Sequence, residues 1–179
     1  KEISVFLNIS VDHMDRYSSF DEYLKTKLHI FENAKHCLFN YDDKMLRKKV
    51  YNSNLNLSPF SITKEKGNYF LDKNKICSND FSMLLNIDKI LLKGVHNISN
   101  IIVATEIANK VGIKKDNICK AISEFEGLEH RFECFFSKNG IDFINDSKST
   151  NIDSAIKAIE SISKKIILIL GGIAKEDDF

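Results

Sequence analysis

The stretch Gly127–Asn151, GLEHRFECFFSKNGIDFINDSKSTN, decides how this chain is read. Two short apolar runs, Phe132–Ser137 and Ile141–Ile144, flank Asn139-Gly140. Asn-Gly between apolar runs signals a hairpin, because both residues tolerate the positive φ that a tight turn demands. From Asn145 to Asn151 every position is polar, and a helical pattern begins near Ile152. A strand that empties into Asp, Ser, Lys and Thr just before a helix is how α/β proteins build nucleotide and anion sites. The same residue types are also the preferred helix N-caps. Composition alone leaves capping and ligand binding about equally open. A basic dipeptide, His130-Arg131, precedes the first run.

Composition bounds the rest. A chain of 179 residues suits one ordinary domain or two small ones. With 43% hydrophobic and 28% charged residues it can bury a core and present a polar surface. A net charge of +1 supplies no field to draw in nucleic acid or an anionic membrane, so neither is expected as a partner. Cys37, Cys77, Cys119 and Cys134 show no CxxC or zinc spacing and read as reduced thiols of a cytoplasmic protein. No apolar run approaches the roughly 20 residues that span a bilayer, so no membrane insertion is expected. The chain opens directly in an apolar strand and stops shortly after another, so an internal piece of a longer protein is expected.

Taken in order, Ile3–Ile9 reads as a strand buried on both faces of a parallel sheet. It leads into a loop where Asp12 and Asp15 bracket His13, suited to a hard cation or, equally, to a solvated loop with Asx turns. Ser19 and Glu22 form a capping box for a helix to about Glu32, with an apolar stripe at Phe20, Tyr23, Leu24, Leu28 and Phe31. Lys27 lies beside that stripe; drawn partly into low dielectric its amine would be easier to deprotonate, but most such lysines only snorkel. Cys37–Asn40 reads as a second buried strand, followed by a turn and a short helix. The segments from Phe60 to Leu92 predict a small antiparallel β-meander.

Gly94–Asn100 opens a helix over Ile101–Val111, and another runs from Lys115 to about Phe125. Asn97 and Asn100 share a face and offer paired donors and acceptors suited to a purine edge, unless Asn97 merely caps the helix. Gly127 ends the second of these helices, which places a domain boundary between residues 1–128 and 129–179. Ile152–Ser163 predicts a further helix, Ile166–Leu170 a buried strand, and Gly171–Lys175 a glycine loop with one lysine. The fold class is α/β, a parallel sheet with helices plus the small antiparallel meander, followed by the start of a Rossmann-like domain.

Together these motifs resemble the Mur ligase superfamily, in its D-glutamate-adding branch. The matching residues are Asp12–Tyr17, Lys27-Leu28 with Glu32-Asn33-Ala34, Gly94–Asn100, His130–Glu133, Asn145–Asn151, and Leu170-Gly171-Gly172 with Lys175. They run in order along essentially the whole chain, and the Asn-Asp-Ser-Lys-x-Thr-Asn string is the most specific. The resemblance implies an ATP-dependent, Mg2+-requiring ligase that joins D-glutamate to UDP-N-acetylmuramoyl-L-alanine through an acyl phosphate, in peptidoglycan synthesis. The protein would be a cytoplasmic monomer acting on small molecules.

By the same resemblance, His13 would ligate magnesium and Lys27, carbamylated by CO2, would supply an anionic oxygen ligand. Asn97 and Asn100 would meet adenine, Arg131 the γ-phosphate, and Asp146 the ribose hydroxyls. Thr150 and Lys175 would bind the D-glutamate carboxylates, with Lys148 in support. None of the seven glycines lies in a G-x-x-x-x-G-K-[ST] pattern, so the phosphate loop and the uridine-binding part are expected upstream, and this chain alone should not turn over. The alternatives are a sister ligase such as folylpolyglutamate synthase or another Mur enzyme, which the Asn145–Asn151 string argues against, or a non-catalytic remnant.

Overall fold

A computed structural model of the chain describes all residues except 1, 12–15, 51–56, 64–66, 80–83, 93 and 173–179. Three strands, β1 (Ile3–Phe6), β2 (His36–Asn40) and β3 (Ser58–Phe60), form a parallel sheet in that order. Val5 pairs with Leu38 and Phe39 with Pro59. Proline fits there because β3 is an edge strand, where a missing N–H breaks no central ladder. Side chains alternate across the sheet, as a period of two requires. Phe6, Cys37 and Phe39 pack on one face against Tyr23, Leu24 and Leu46. Ile3, Val5, Leu38 and Phe60 pack on the other face against Val103 and Ile107. The strands are apolar throughout because both faces are covered.

Helices α1 (Phe20–Leu28) and α2 (Lys44–Val50) supply the first cover. The Ser19 hydroxyl accepts the Glu22 N–H at 3.2 Å. The Glu22 carboxylate turns back to the N–H of Ser18 at 3.0 Å, one residue before the expected capping-box partner. A 3-10 turn, His29–Phe31, extends the helix about as far as the periodicity predicts.

The second cover is α3 (Val95–Lys110), which also carries the meander of β4 (Tyr69–Asp72), β5 (Lys75–Ser78) and β6 (Leu85–Asn86). Ile98, Ile101 and Ile102 of α3 pack with Tyr69, Ile76 and Leu85. Helix α4 (Lys115–Glu124), the antiparallel hairpin β7 (Glu133–Lys138) and β8 (Ile141–Asn145), and α5 (Ile152–Glu160) complete the described chain. Asn139 and Gly140 have φ of 52° and 77°, as the hairpin reading requires.

Four expectations change. Phe60 belongs to the parallel sheet, because its segment lies alongside β2; just beyond it the Leu71 N–H of β4 donates to the Ile62 carbonyl at 2.9 Å. Ile90–Leu92 is not a strand: a 3-10 turn, Ile87–Lys89, precedes it and Ile90 is driven into the core. α3 starts at Val95 with Gly94 as its N-cap at φ 98°, so Asn97 lies inside the first turn and is not the N-cap residue. Ile166–Leu170 forms no strand among the described residues; Ile167 and Ile169 are 95% and 91% exposed. A strand needs a hydrogen-bonded neighbour, and no described strand runs beside this segment.

Two buried side chains of α3, Thr105 and Glu106, each keep an oxygen with no hydrogen-bond partner among the described residues, and only Glu106 is ionisable. Glu106 on α3 is 2% exposed; its Oε1 lies 3.4 Å from the Asn68 amide and 3.9 Å from the Lys110 ammonium. Oε2 is buried with no hydrogen-bond partner among the described residues. Burial pushes the carboxyl above its ordinary value of 4.5, against the smaller pull of Lys110 and Asn68. A raised folded-state value means that the native state holds a proton the unfolded chain releases, so stability falls as pH rises above about 4.5. Glu106→Gln is therefore expected to stabilise the protein by on the order of 1 kcal/mol at pH 7.5, with the difference closing near pH 4. Equilibrium unfolding of both forms at the two pH values is the check; equal stability at pH 7.5 would show that the buried carboxylate is fully compensated.

Candidate active site

A cleft of about 660 Å3 opens beside the N-terminal half of α3. Gly94 starts that helix in a conformation open to glycine, and this puts His96, Asn97 and Asn100 within its first two turns and on the cleft. Ile122 and Phe125, at the end of α4, give the cleft an apolar floor. Gly127 then turns the chain at φ 107°, a conformation that asks for glycine; a Cβ there would lie 3.0 Å from Leu92 Cδ2, which would have to give slightly. The facing wall is Arg131, Asp146, Lys148 and Ser149, with Ser154 and Ala158 of α5 behind them.

That wall is held by its own hydrogen bonds. The Asp146 carboxylate accepts the Phe132 N–H at 2.9 Å, and the Lys148 N–H donates to the His130 carbonyl at 3.1 Å. His130 and Phe132, on either side of Arg131, have φ of 64° and 51°. Non-glycine residues in this region cost about 1–3 kcal/mol each and persist only where surrounding bonds impose them. The polar run 145–151 also closes α5: the Asn151 side chain accepts the Ser154 N–H at 2.9 Å. Capping and cleft-building, the two sequence readings of this run, are both realised, by different residues of it.

The charges are arranged to meet a ligand. Arg131 and Lys148 are exposed and make no ion pair among the described residues, and Asp146 Oδ2 has no partner there either. His96 is half-buried; burial and the nearby Lys157 hold its imidazole below the ordinary range, while Asp146 pulls the other way. Two amides, one carboxylate and two cations over an apolar floor suit a ligand with a flat polar ring, hydroxyls and anionic groups.

Of the residues singled out from sequence, Asn97, Asn100, Arg131, Asp146 and Lys148 all line this one cleft. Thr150 is exposed and sits just before the α5 cap, outside the lining. His13 and Lys175 lie outside the described residues. Lys27 is exposed, the snorkelling of the two readings; it lies four residues on from Tyr23, with Nζ 5.3 Å from that ring's centroid. Among the described residues no group of three or more His, Cys, Asp or Glu side chains could hold a metal. His96, Ser149 and Ser154 line the cleft without having been singled out. His96 stands next to Asn97 and two residues after the glycine, which was the available signal.

A parallel sheet with helices on both faces, and a polar cleft at the start of one of those helices, defines an α/β protein with a candidate nucleotide site. Comparison makes the assignment specific. Residues 1–108 match the Mur ligase middle domain, and the chain belongs to the Mur ligase family. It is 37% identical over 99% of its length to a UDP-N-acetylmuramoylalanine–D-glutamate ligase of Bacteroides fragilis, covering 42% of that relative. It is 36% identical over the same share to one of Teredinibacter turnerae, covering 41%. The chain thus spans about two fifths of the length of these curated relatives. The crystal structure of MurF from Acinetobacter baumannii superposes with a TM-score of 0.73 at 19% identity, over 89% of this chain and 36% of that one, a likeness of fold. No described helix is long and apolar enough to cross a membrane.

The electrostatics of His96 can be checked directly. Its imidazole should titrate by NMR below the ordinary value of 6.5, so that it is neutral at pH 7. Removing the cation with Lys157→Ala should raise the midpoint, and removing the anion with Asp146→Ala should lower it. Midpoints unmoved by both changes would mean that burial alone sets the value.

Proposed function

We propose that the full-length protein carrying this chain is an ATP-dependent ligase that adds D-glutamate to UDP-N-acetylmuramoyl-L-alanine. It works on small molecules as a cytoplasmic monomer. The observation that carries this reading is the single cleft in which Asn97 and Asn100 face Arg131, Asp146 and Lys148. These are the amide, carboxylate and cationic groups that an adenine, a ribose and a polyphosphate call for. The relatives at 36–37% identity, all named as D-glutamate ligases, support the substrate assignment.

In this reading the two asparagines hold the adenine edge and Asp146 Oδ2 takes a ribose hydroxyl, its Oδ1 being engaged by Phe132. The substrate carboxylate attacks the γ-phosphorus and the bond to ADP breaks, leaving an acyl phosphate. Arg131 meets the charge on the transferring group, which is where positioned cations contribute most. The D-glutamate amine then attacks the acyl carbon, loses a proton, and phosphate leaves. Thr150 and Lys175 hold the amino acid's carboxylates, with Lys148 near them. His13 and a carbamate on Lys27 would hold magnesium, which would supply neutralisation of the phosphate charge. A boundary near residues 128–129 lets the two walls close and keep water from the acyl phosphate.

The decisive experiment is phosphate release by the full-length protein, which should require ATP, the UDP-sugar and D-glutamate together; release indifferent to D-glutamate would overturn the reading. Arg131→Ala should slow single-turnover phosphorylation by on the order of a hundredfold. ATP affinity should change by less than about fivefold, as expected for a contact that strengthens in the transition state.

Lys27→Ala should lose turnover, and short-chain carboxylic acids should restore part of it by replacing the missing carboxylate. An alanine variant that turns over normally would remove Lys27 from the metal site.

A further inference from the structure

Arg131 enters the cleft from a backbone held in an unfavourable shape. Its neighbours on both sides, His130 and Phe132, have φ of 64° and 51°. Free chains do not stay in such a shape, so other groups must impose it. Asp146 bonds the Phe132 N–H on one side, and on the His130 side the bonds that do so come from two side chains to which the proposed ligand roles assign nothing. The Glu133 carboxylate accepts the His130 N–H at 2.8 Å and lies 3.7 Å from that residue's Nδ1. The Asn145 side chain spans two loops: its Oδ1 accepts the Ser147 N–H at 3.1 Å and its Nδ2 meets His130 Nδ1 at 2.8 Å.

These contacts also fix an ambiguity of protonation. The Ser147 N–H can only donate, so the atom facing it must be the amide oxygen. The Asn145 NH2 therefore points at His130 Nδ1, which must offer its lone pair, and the ring proton sits on Nε2. The imidazole is clamped through one nitrogen, and the main chain on both sides of Arg131 is clamped with it, by Glu133 before it and by Asp146 after it.

We propose that Glu133 and Asn145 are positioning residues for Arg131: by holding His130 in the left-handed conformation they aim the guanidinium across the cleft at the anionic part of its ligand. This rests on the assignment of Arg131 to the transferring phosphoryl group. It adds that the arginine's alignment is set by two residues that do not line the cleft. A displacement of about 1 Å at a reacting centre can cost up to a hundredfold in rate. Loosening either clamp should therefore act on the chemical step far more than on binding.

The test is a double-mutant cycle in the full-length protein. Glu133→Ala and Asn145→Ala should each lower kcat by about tenfold or more, with the ATP KM within about threefold of wild type. Each should add little to the loss in an Arg131→Ala background, because residues that act through one group are not additive. Glu133→Gln, which keeps an oxygen for the His130 N–H, should recover most of what Glu133→Ala loses. Losses that multiply with Arg131→Ala, or a kcat unchanged in both alanine variants, would overturn the proposal. Should the alanine variants fail to melt cooperatively, Asn145→Asp takes their place in the cycle. It keeps the Ser147 acceptor but reverses the proton demand on Nδ1, and the same coupling to Arg131 is expected; additivity there counts equally against the idea. An Arg131→Ala variant with normal phosphorylation would remove the phosphoryl assignment itself, whereas additivity beside an impaired Arg131→Ala removes only the positioning role.

Discussion

The structure depends on one helix being buried on two sides. α3 presents Val103 and Ile107 to the parallel sheet and Ile98, Ile101 and Ile102 to the meander, and Ile102 is completely enclosed. Burying side chains of this size contributes about 1.5–3 kcal/mol each relative to exposure. Without α3 the two sheets would have no common core, and each would expose an apolar face. The same packing fixes the direction in which the helix's first turns point, so the force that joins the sheets also decides where Asn97 and Asn100 stand.

The facing wall is built by a different kind of interaction. Few of its residues are deeply buried, and its order comes from hydrogen bonds between residues 130–132 and 145–148, reinforced by the β7–β8 ladder. Such bonds contribute only about 0.5–1.5 kcal/mol net each, but they are directional, and direction is what a ligand wall needs. One wall of the cleft is therefore held by packing and the other by polar geometry. The hairpin's outer surface, with Phe135, Phe136 and Phe143 clustered and at least 45% exposed, is the least covered apolar part of this region.

Electrostatics separate the cleft from the core in the same way. At Glu106 burial dominates and favours the neutral acid. At the cleft Arg131 and Lys148 remain in water, charged and uncommitted among the described residues, at little desolvation cost until a ligand arrives. A cation left hydrated in the free protein and desolvated by its partner is the usual arrangement for recognising anions.

Much of this was legible in the chain itself. Continuous apolar runs and helical periodicities located β1, β2, α1, α4 and α5 to within a few residues, and Asn139-Gly140 located the hairpin, because these signals are local. The motifs in Gly94–Asn100 and Asn145–Asn151 supplied Asn97, Asn100, Asp146 and Lys148 of the cleft, and His130–Glu133 supplied Arg131, for the same reason: a helix start and a polar strand exit are short-range features. Pairing and burial were not legible. Ser58–Phe60 joins the parallel sheet because β2 happens to lie beside it, a relation between residues about 20 apart. Ile166–Leu170 has the composition of a strand but no described neighbour, and hydrogen bonding needs two chains. Lys27 lies beside an apolar stripe yet points outward, since the angle around a helix at which burial ends depends on what is packed against it. The strained arch around Arg131 could not be anticipated either, because nothing in His130 or Phe132 asks for a positive φ. Only the surrounding tertiary bonds impose it.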